Sequence, residues 1–176
     1  MLIKELAQLQ LQKKLISVDR DCHDEELTGI IISANDSFVL FQEITEDGVF
    51  DGFTIFETTQ IDEVYWGNRE HESIAALIDK DISVVIPKLD SETFSDAVIE
   101  LSKLYSNICI FKYHDEGTFS IATINSYDDD WLNISTFGPK RSLSRMEKIM
   151  KSDNISRVSV DSPYQKNIEK LHQSDL

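Results

Sequence analysis

The chain has 176 residues, of which 41% are hydrophobic and 28% charged, the balance of a soluble globular protein of one domain or two small ones. Its net charge is -15, and the charge is lopsided: 19 acids face 7 bases in residues 1–90, but 13 face 10 in residues 91–176. Such a balance opposes phosphate backbones, which are gripped by Lys and Arg, and favours the approach of a basic partner. Residues Met1 to Lys13 carry an apolar stripe at Leu2, Ile3, Leu6, Leu9 and Leu11, the spacing of a helix. Five strands are expected next, at 15–18, 28–34, 38–44, 50–56 and 61–66. Asp47-Gly48 marks the tight turn between the third and fourth of them. A helix is expected over 70–80, followed by a boundary over 81–90 that contains the apolar run Ile82 to Ile86. Ser91 then reads as the N-cap of a helix striped by Phe94, Ala97, Val98, Leu101 and Leu104. Strands follow at 108–113, 118–125, 131–135, 143–150 and 155–160, with Pro163 opening a last helix.

The second half repeats the apolar frame of the first. Ile61-Asp62-Glu63-Val64 returns as Ile155-Ser156-Arg157-Val158, Gly29 falls on Ala122, Ile31 on Ile124, Asn35 on Asp128 and Phe38 on Trp131. A recurring frame with different polar contents points to one scaffold used twice. Three segments follow: repeat one over 1–80, a linker over 81–90 and repeat two over 91–176. Ile31, Phe38, Leu40, Val64, Ile124, Trp131 and Val158 are the expected core, with Tyr65, Trp66, Phe50, Phe53 and Phe56 beside them.

A helix followed by five short strands, with Leu27-Thr28-Gly29-Ile30-Ile31-Ile32 leading to Asp36 at a turn and Phe38-Val39-Leu40 beyond it, resembles the Sm-like fold. The resemblance implies a mainly β protein with accessory helices (α+β), built as two duplicated five-stranded barrels of the Sm-like or SH3-like kind. The family's RNA-binding asparagine is missing after the acid, where Ser37 and Phe38 stand. Its Arg-Gly pair is replaced by Thr58-Thr59-Gln60 and Ser152-Asp153-Asn154. The family's RNA function is therefore not carried over.

Few residues offer chemistry. His23, His71, His114 and His172 show no chelating spacing beyond Cys22-His23, an adjacent pair that an extended chain points to opposite sides. Cys22 sits among acids, which hold a thiol protonated. No nucleophile-base constellation or phosphate loop is present, so neither a cofactor nor a catalytic role is expected. No run reaches the ~20 apolar residues of a membrane helix, and Met1 to Leu6 lacks the features of a signal peptide. Two cysteines in unmatched positions favour a reduced, cytoplasmic setting.

The acids are the exception. In a meander, alternate loops emerge at one end, so the loop after the first strand and the loop after the third share that end. Together they gather Asp21, Asp24, Glu25, Glu26, Glu46, Asp47 and Asp51. The matching loops of the second half are less acidic, and Gly138-Pro139-Lys140-Arg141 is basic. The scaffold does not force this acidity, so the expectation is a face that binds a basic protein. In general character the chain resembles bacterial immunity proteins, which are small, acidic and non-catalytic, and which neutralise basic nuclease toxins. The other expectation is a tandem Sm-like regulatory or nucleic-acid-associated module.

Overall fold

The computed structural model describes residues 1–21, 23, 25–138 and 146–174. The N-terminal stripe forms helix α1 (Leu2–Leu11), which buries Leu6 and Leu9. Strands β1 (Leu15–Arg20), β2 (Leu27–Ala34), β3 (Phe38–Ile44) and β4 (Phe50–Glu57) follow. A 3-10 turn (Thr58–Gln60) leads into β5 (Ile61–Tyr65), and helix α2 (Arg69–Leu77) comes after it. The second half runs α3 (Phe94–Leu104), β6 (Ile108–Lys112), β7 (Asp115–Tyr127), β8 (Trp131–Phe137) and β9 (Met146–Lys151). It ends with a 3-10 turn (Ser152–Asn154), β10 (Ile155–Val160) and α4 (Pro163–Ser174).

The strands do not close into two five-stranded barrels. They form one ten-stranded antiparallel sheet in the order β5-β1-β2-β3-β4-β10-β6-β7-β8-β9. The reason is the pairing of β4 with β10, Ile55 opposite Val158 and Phe53 opposite Val160. That pairing takes up the edge of β4, and the strand that would close the first half, β5, hydrogen-bonds only to β1.

Both halves follow one plan. Each has its fifth strand outside its first, with the order 5-1-2-3-4 recurring as 10-6-7-8-9. The irregularities recur as well. β2 shifts register between Ile31 and Ser33 against β3, and β7 shifts between Ile124 and Ser126 against β8. Asn35 closes the β2–β3 turn by accepting bonds from the amides of Ser37 and Phe38. Asp128 does the same for Asp130 and Trp131.

Two main apolar clusters cover the sheet. α1 lays Leu6 and Leu9 over Ile16, Val18, Ile31, Val39, Phe41 and Phe56. α3 lies across both halves: Ala97, Val98 and Leu101 meet Phe38, Leu40, Phe53 and Ile55 of the first half, and Ile108, Ile134 and Val158 of the second. The cap of α3 is Thr93, which accepts from the amide of Asp96, not Ser91. Ser91 instead donates to Glu100 at 2.5 Å. α4 starts with a reciprocal pair, Ser162 and Gln165 each accepting from the other's amide. Residues 81–90 form neither helix nor strand. Val84 and Leu89 pack on the central cluster, while Ile82, Val85 and Ile86 are exposed.

The expected core holds for Ile31, Phe38, Leu40 and Val158, all buried. Val64 and Ile124 are only partly covered. Trp131 and Trp66 are corrections, at 42% and 46% exposed. Trp66 follows the edge strand β5, and Trp131 stands on β8, one strand in from the edge strand β9 and opposite Lys151. The Lys151 ammonium lies 5.6 Å from the centre of the Trp131 ring. Tyr65 and Phe50 are half-buried, and Phe53 and Phe56 are fully enclosed.

Candidate acidic cleft

The β1–β2 and β3–β4 loops do meet at one end of the sheet. They frame a cleft of about 260 Å³ lined by six carboxylates: Glu25, Glu26, Glu43, Glu46, Asp51 and Glu70. Four of these belong to the expected set. Asp47 is exposed and does not line the cleft, and Gly48 beside it turns with φ +74° and packs against the end of α2. A Cβ on Gly48 would lie 2.7 Å from the Leu77 carbonyl carbon. Asp21 is exposed and does not line the cleft. Its amide is held by the Gln60 carbonyl at 2.6 Å. Asp24 lies outside the described residues, as does the basic stretch at 139–145.

Sequence reasoning missed three members. Glu43 comes from the body of β3 and Glu70 from the first turn of α2. The third is a cation from the other half. Arg157, on β10, reaches across the junction with its side chain only 4% exposed. It donates to Glu25 at 2.9 Å and to Glu43 at 3.4 Å. It also donates to the Ser159 hydroxyl at 3.2 Å. Its guanidinium stacks on Phe111, 3.6 Å from the ring centre. A charged residue inside the apolar alternation of Ile155 to Val160 was the available signal, since a buried cation requires a partner.

One guanidinium does not balance this many acids. Burial pushes the Glu43 carboxyl above its usual range, and neighbouring Asp51 and Glu25 add to this, while Arg157 opposes them. Asp51 is raised in the same way by burial, again opposed by Arg157 and assisted by Glu25. Each carboxylate is held at a cost that a second cation would relieve.

Glu26 differs. Burial pushes it upward too, but hydrogen bonds from Ser17, Tyr65 and Thr28 together with nearby His71 outweigh that, and its carboxyl sits below the usual range. Thr28 donates to it at 3.0 Å, and the Tyr65 hydroxyl donates to its other oxygen. The Tyr65 phenol is correspondingly raised by burial and by Glu26. Behind Glu26 the Ser17 hydroxyl lies 2.8 Å from Thr28 and 3.1 Å from His71 Nε2. A serine beside an imidazole is a nucleophile-base geometry. Here Ser17 and His71 are both buried, and His71 Nδ1 has no partner among the described residues. Among the described residues no carboxylate bonds the ring, and the Ser17 hydroxyl is enclosed. The pair anchors α2 to β1, and α2 in turn is capped by Asn68, which accepts from the His71 amide at 2.9 Å.

Three other hollows, of about 370, 510 and 620 Å³, are larger. The first gathers three acids (Asp96, Asp128 and Asp129) and the second three lysines (Lys112, Lys148 and Lys151), against six carboxylates in the acidic cleft; the third has mixed charges. Among the described residues no group of three or more His, Cys, Asp or Glu is arranged to hold a metal ion, and no helix is long and apolar enough to cross a membrane. Compared with protein-family models, curated proteins and solved structures, the chain matches none of them.

Proposed function

We propose that the protein is a non-catalytic binding protein whose acidic cleft receives a cationic group of a protein partner, in the manner of an immunity protein that occludes a basic nuclease. The observation that carries this reading is the surplus of carboxylate around Arg157. Six acids line the cleft, and the buried guanidinium of Arg157 pairs with two of them. Glu43 and Asp51 are left poised above their ordinary range. An incoming Arg or Lys would form charge-assisted bonds there and release that cost. The same carboxylates repel phosphate, which argues against direct binding of nucleic acid. The buried thiol of Cys109 is compatible with a reducing, cytoplasmic setting.

A hexa-arginine peptide titrated calorimetrically at low salt tests the cleft. Neutralising Glu25, Glu46 and Glu70 to Gln should weaken binding roughly tenfold or more. Neutralising Asp128, Asp129 and Asp130 to Asn removes as many charges elsewhere and should have little effect. Equal losses for the two triple variants would return the acids to a solubilising role. A panel of basic nucleases, assayed for turnover with and without the protein, then tests inhibition.

The second reading is a tandem Sm-like regulatory module. It is favoured by the helix and five strands that each half presents. A basic groove on the second half that bound single-stranded RNA, with no effect of the cleft variants, would select it.

A further inference from the structure

A sheet of ten strands has two ends, and here the ends are β5 and β9. Among the described residues each leaves one row of backbone amides and carbonyls without a strand partner, and such edges are templates for pairing. By the plan common to the two halves, β5 corresponds to β10 and β9 to β4. The equivalence follows from the registers: Val18 pairs Val64 as Ile110 pairs Val158, and Val39 pairs Phe56 as Leu132 pairs Met150. The strands at the two free edges are thus the counterparts of the two already joined at the centre.

We propose that a second copy of this chain docks edge to edge, β9 of one copy against β5 of the next, in the register of the β4–β10 junction. Arg157 opposite Phe56 and Val158 opposite Ile55 translate into Glu63 opposite Met150 and Val64 opposite Ile149. One step further along, Asp62 faces Lys151, and Tyr65 faces Lys148.

The side chains suit that register. Ile149 is 70% exposed on its own copy, and in the paired sheet it meets Val64, with Trp66 on the diagonal. Lys151 meets Asp62, and Lys148 has Glu63 on its diagonal. Charged residues are also how edges are kept from aggregating. Here, however, the edges differ in sign: β5 carries Asp62 and Glu63, while β9 carries Lys148 and Lys151 with one acid, Glu147, that is held by Ser135 and Asn125 of its own chain. Pairing of β5 with β5 brings only acids together, whereas the β5–β9 register sets Asp62 opposite Lys151.

The faces agree as well. At the centre, α3 covers Phe38 and Ile55 of the neighbouring half. Their counterparts Trp131 and Ile149 are the uncovered residues at the free end. The helix equivalent to α3 is α1, and α1 of the incoming copy is the element that would cover them. The contact is head to tail. It closes a ring if the rotation per copy divides a circle, and otherwise builds a fibre.

Sedimentation and light scattering over a concentration series test this at low salt. Average mass should rise above that of one chain with concentration. Fluorescence should shift to the blue as Trp66 and Trp131, the chain's two tryptophans, leave water. I149D should abolish association in the range where the unmodified chain associates. K151E and D62K should each weaken it about tenfold. The double variant K151E/D62K should restore it, and so should mixing the two single variants, because each mixture pairs opposite charges at every junction. Circular dichroism confirms that each variant is folded. A single-chain mass up to the solubility limit would overturn the proposal. So would association that I149D leaves intact, or a double variant no better than the singles. The cleft variants should leave association unchanged, which separates this inference from the proposed function.

Discussion

Replacing Arg157 by Met isolates the charge that links the two halves. The methionine fills much of the buried stem against Phe111, so the loss falls mainly on the ion pairs. Glu25 is 60% exposed and can turn to water, which makes its share small. Glu43 is 17% exposed and cannot. Removing one partner of a buried pair costs about 3–5 kcal/mol, and Arg157→Met should fall in that range at neutral pH. With a urea dependence of about 2 kcal/mol per molar, the unfolding midpoint should drop by about 2 M. The loss should be smaller in acid. Burial already raises the folded-state affinity of Glu43 and Asp51 for a proton, and without the guanidinium that affinity rises further. Between the ordinary carboxylate range and the raised folded value, the folded state then holds more protons than the unfolded one. Stability therefore falls as pH rises through that window and recovers as pH falls. Urea titrations of both proteins at neutral pH and near pH 4 decide the matter. A midpoint shift of equal size at both values, or none at pH 7, would refute the pairing described here.

Phe38 and Trp131 occupy equivalent positions, yet Phe38→Ala should destabilise by about 3–5 kcal/mol and Trp131→Ala by much less, because Phe38 is 3% exposed and Trp131 is not buried; thermal melts of the two variants at a concentration where the chain is single compare them. Gly29→Ala should be among the most damaging small changes, since its Cβ would sit 1.9 Å from the Gln42 carbonyl oxygen, and overpacking of that kind costs about 3 kcal/mol; a soluble variant with an unchanged midpoint would contradict the β2–β3 register. Burial pushes the Cys109 thiol up to about 12, so iodoacetamide at pH 8 should label it only after unfolding, and rapid native labelling at this residue in peptide maps would show that the site is open. Glu43→Gln should raise stability at neutral pH relative to the unmodified chain and lose that advantage in acid, as followed by urea midpoints.

The elements that could be read from sequence are those set by local periodicity. Alternation over Ile31 to Phe41 and the stripe of α3 placed strands and helix correctly, because burial on one face dictates that spacing. Asp47-Gly48 gave its hairpin because the turn requires a positive φ. What the sequence concealed was pairing at long range. Barrel closure and sheet extension use the same five strands, and only the partner of β4 distinguishes them. That partner is β10, about a hundred residues away, and nothing in Phe53 to Phe56 identifies it. The same blindness explains the site. Glu25, Glu26, Glu46 and Asp51 sit in loops whose common end follows from the meander. Glu43 enters the cleft from the body of β3 and Arg157 across the β4–β10 junction, whose pairing no local pattern describes. Trp131 was misread for a related reason, as its apolar frame matches Phe38 but its strand neighbour is an edge.

The two halves thus differ where the plan gives each strand a different neighbour. At the centre β10 brings Arg157 against Glu43, and the counterpart of Arg157 at the free edge is Glu63. The counterpart of Thr54, whose hydroxyl lies 2.5 Å from that of Ser159 across the junction, is Lys148. The central junction therefore places a cation on the fifth strand and an acid in the neighbouring half, and the free edges carry the reverse arrangement. This reversal has a physical consequence. A β10 edge offered to β9 would set Arg157 beside Lys148, and a β5 edge offered to β4 would set Glu63 beside Glu43 and Asp51. Both mispairings place like charges together in a partly desolvated sheet, where they are costly. The charge pattern selects β10 for β4 inside the chain, leaves β5 for β9 outside it, and in doing so fixes the acidic cleft beside the buried guanidinium of Arg157 that organises it.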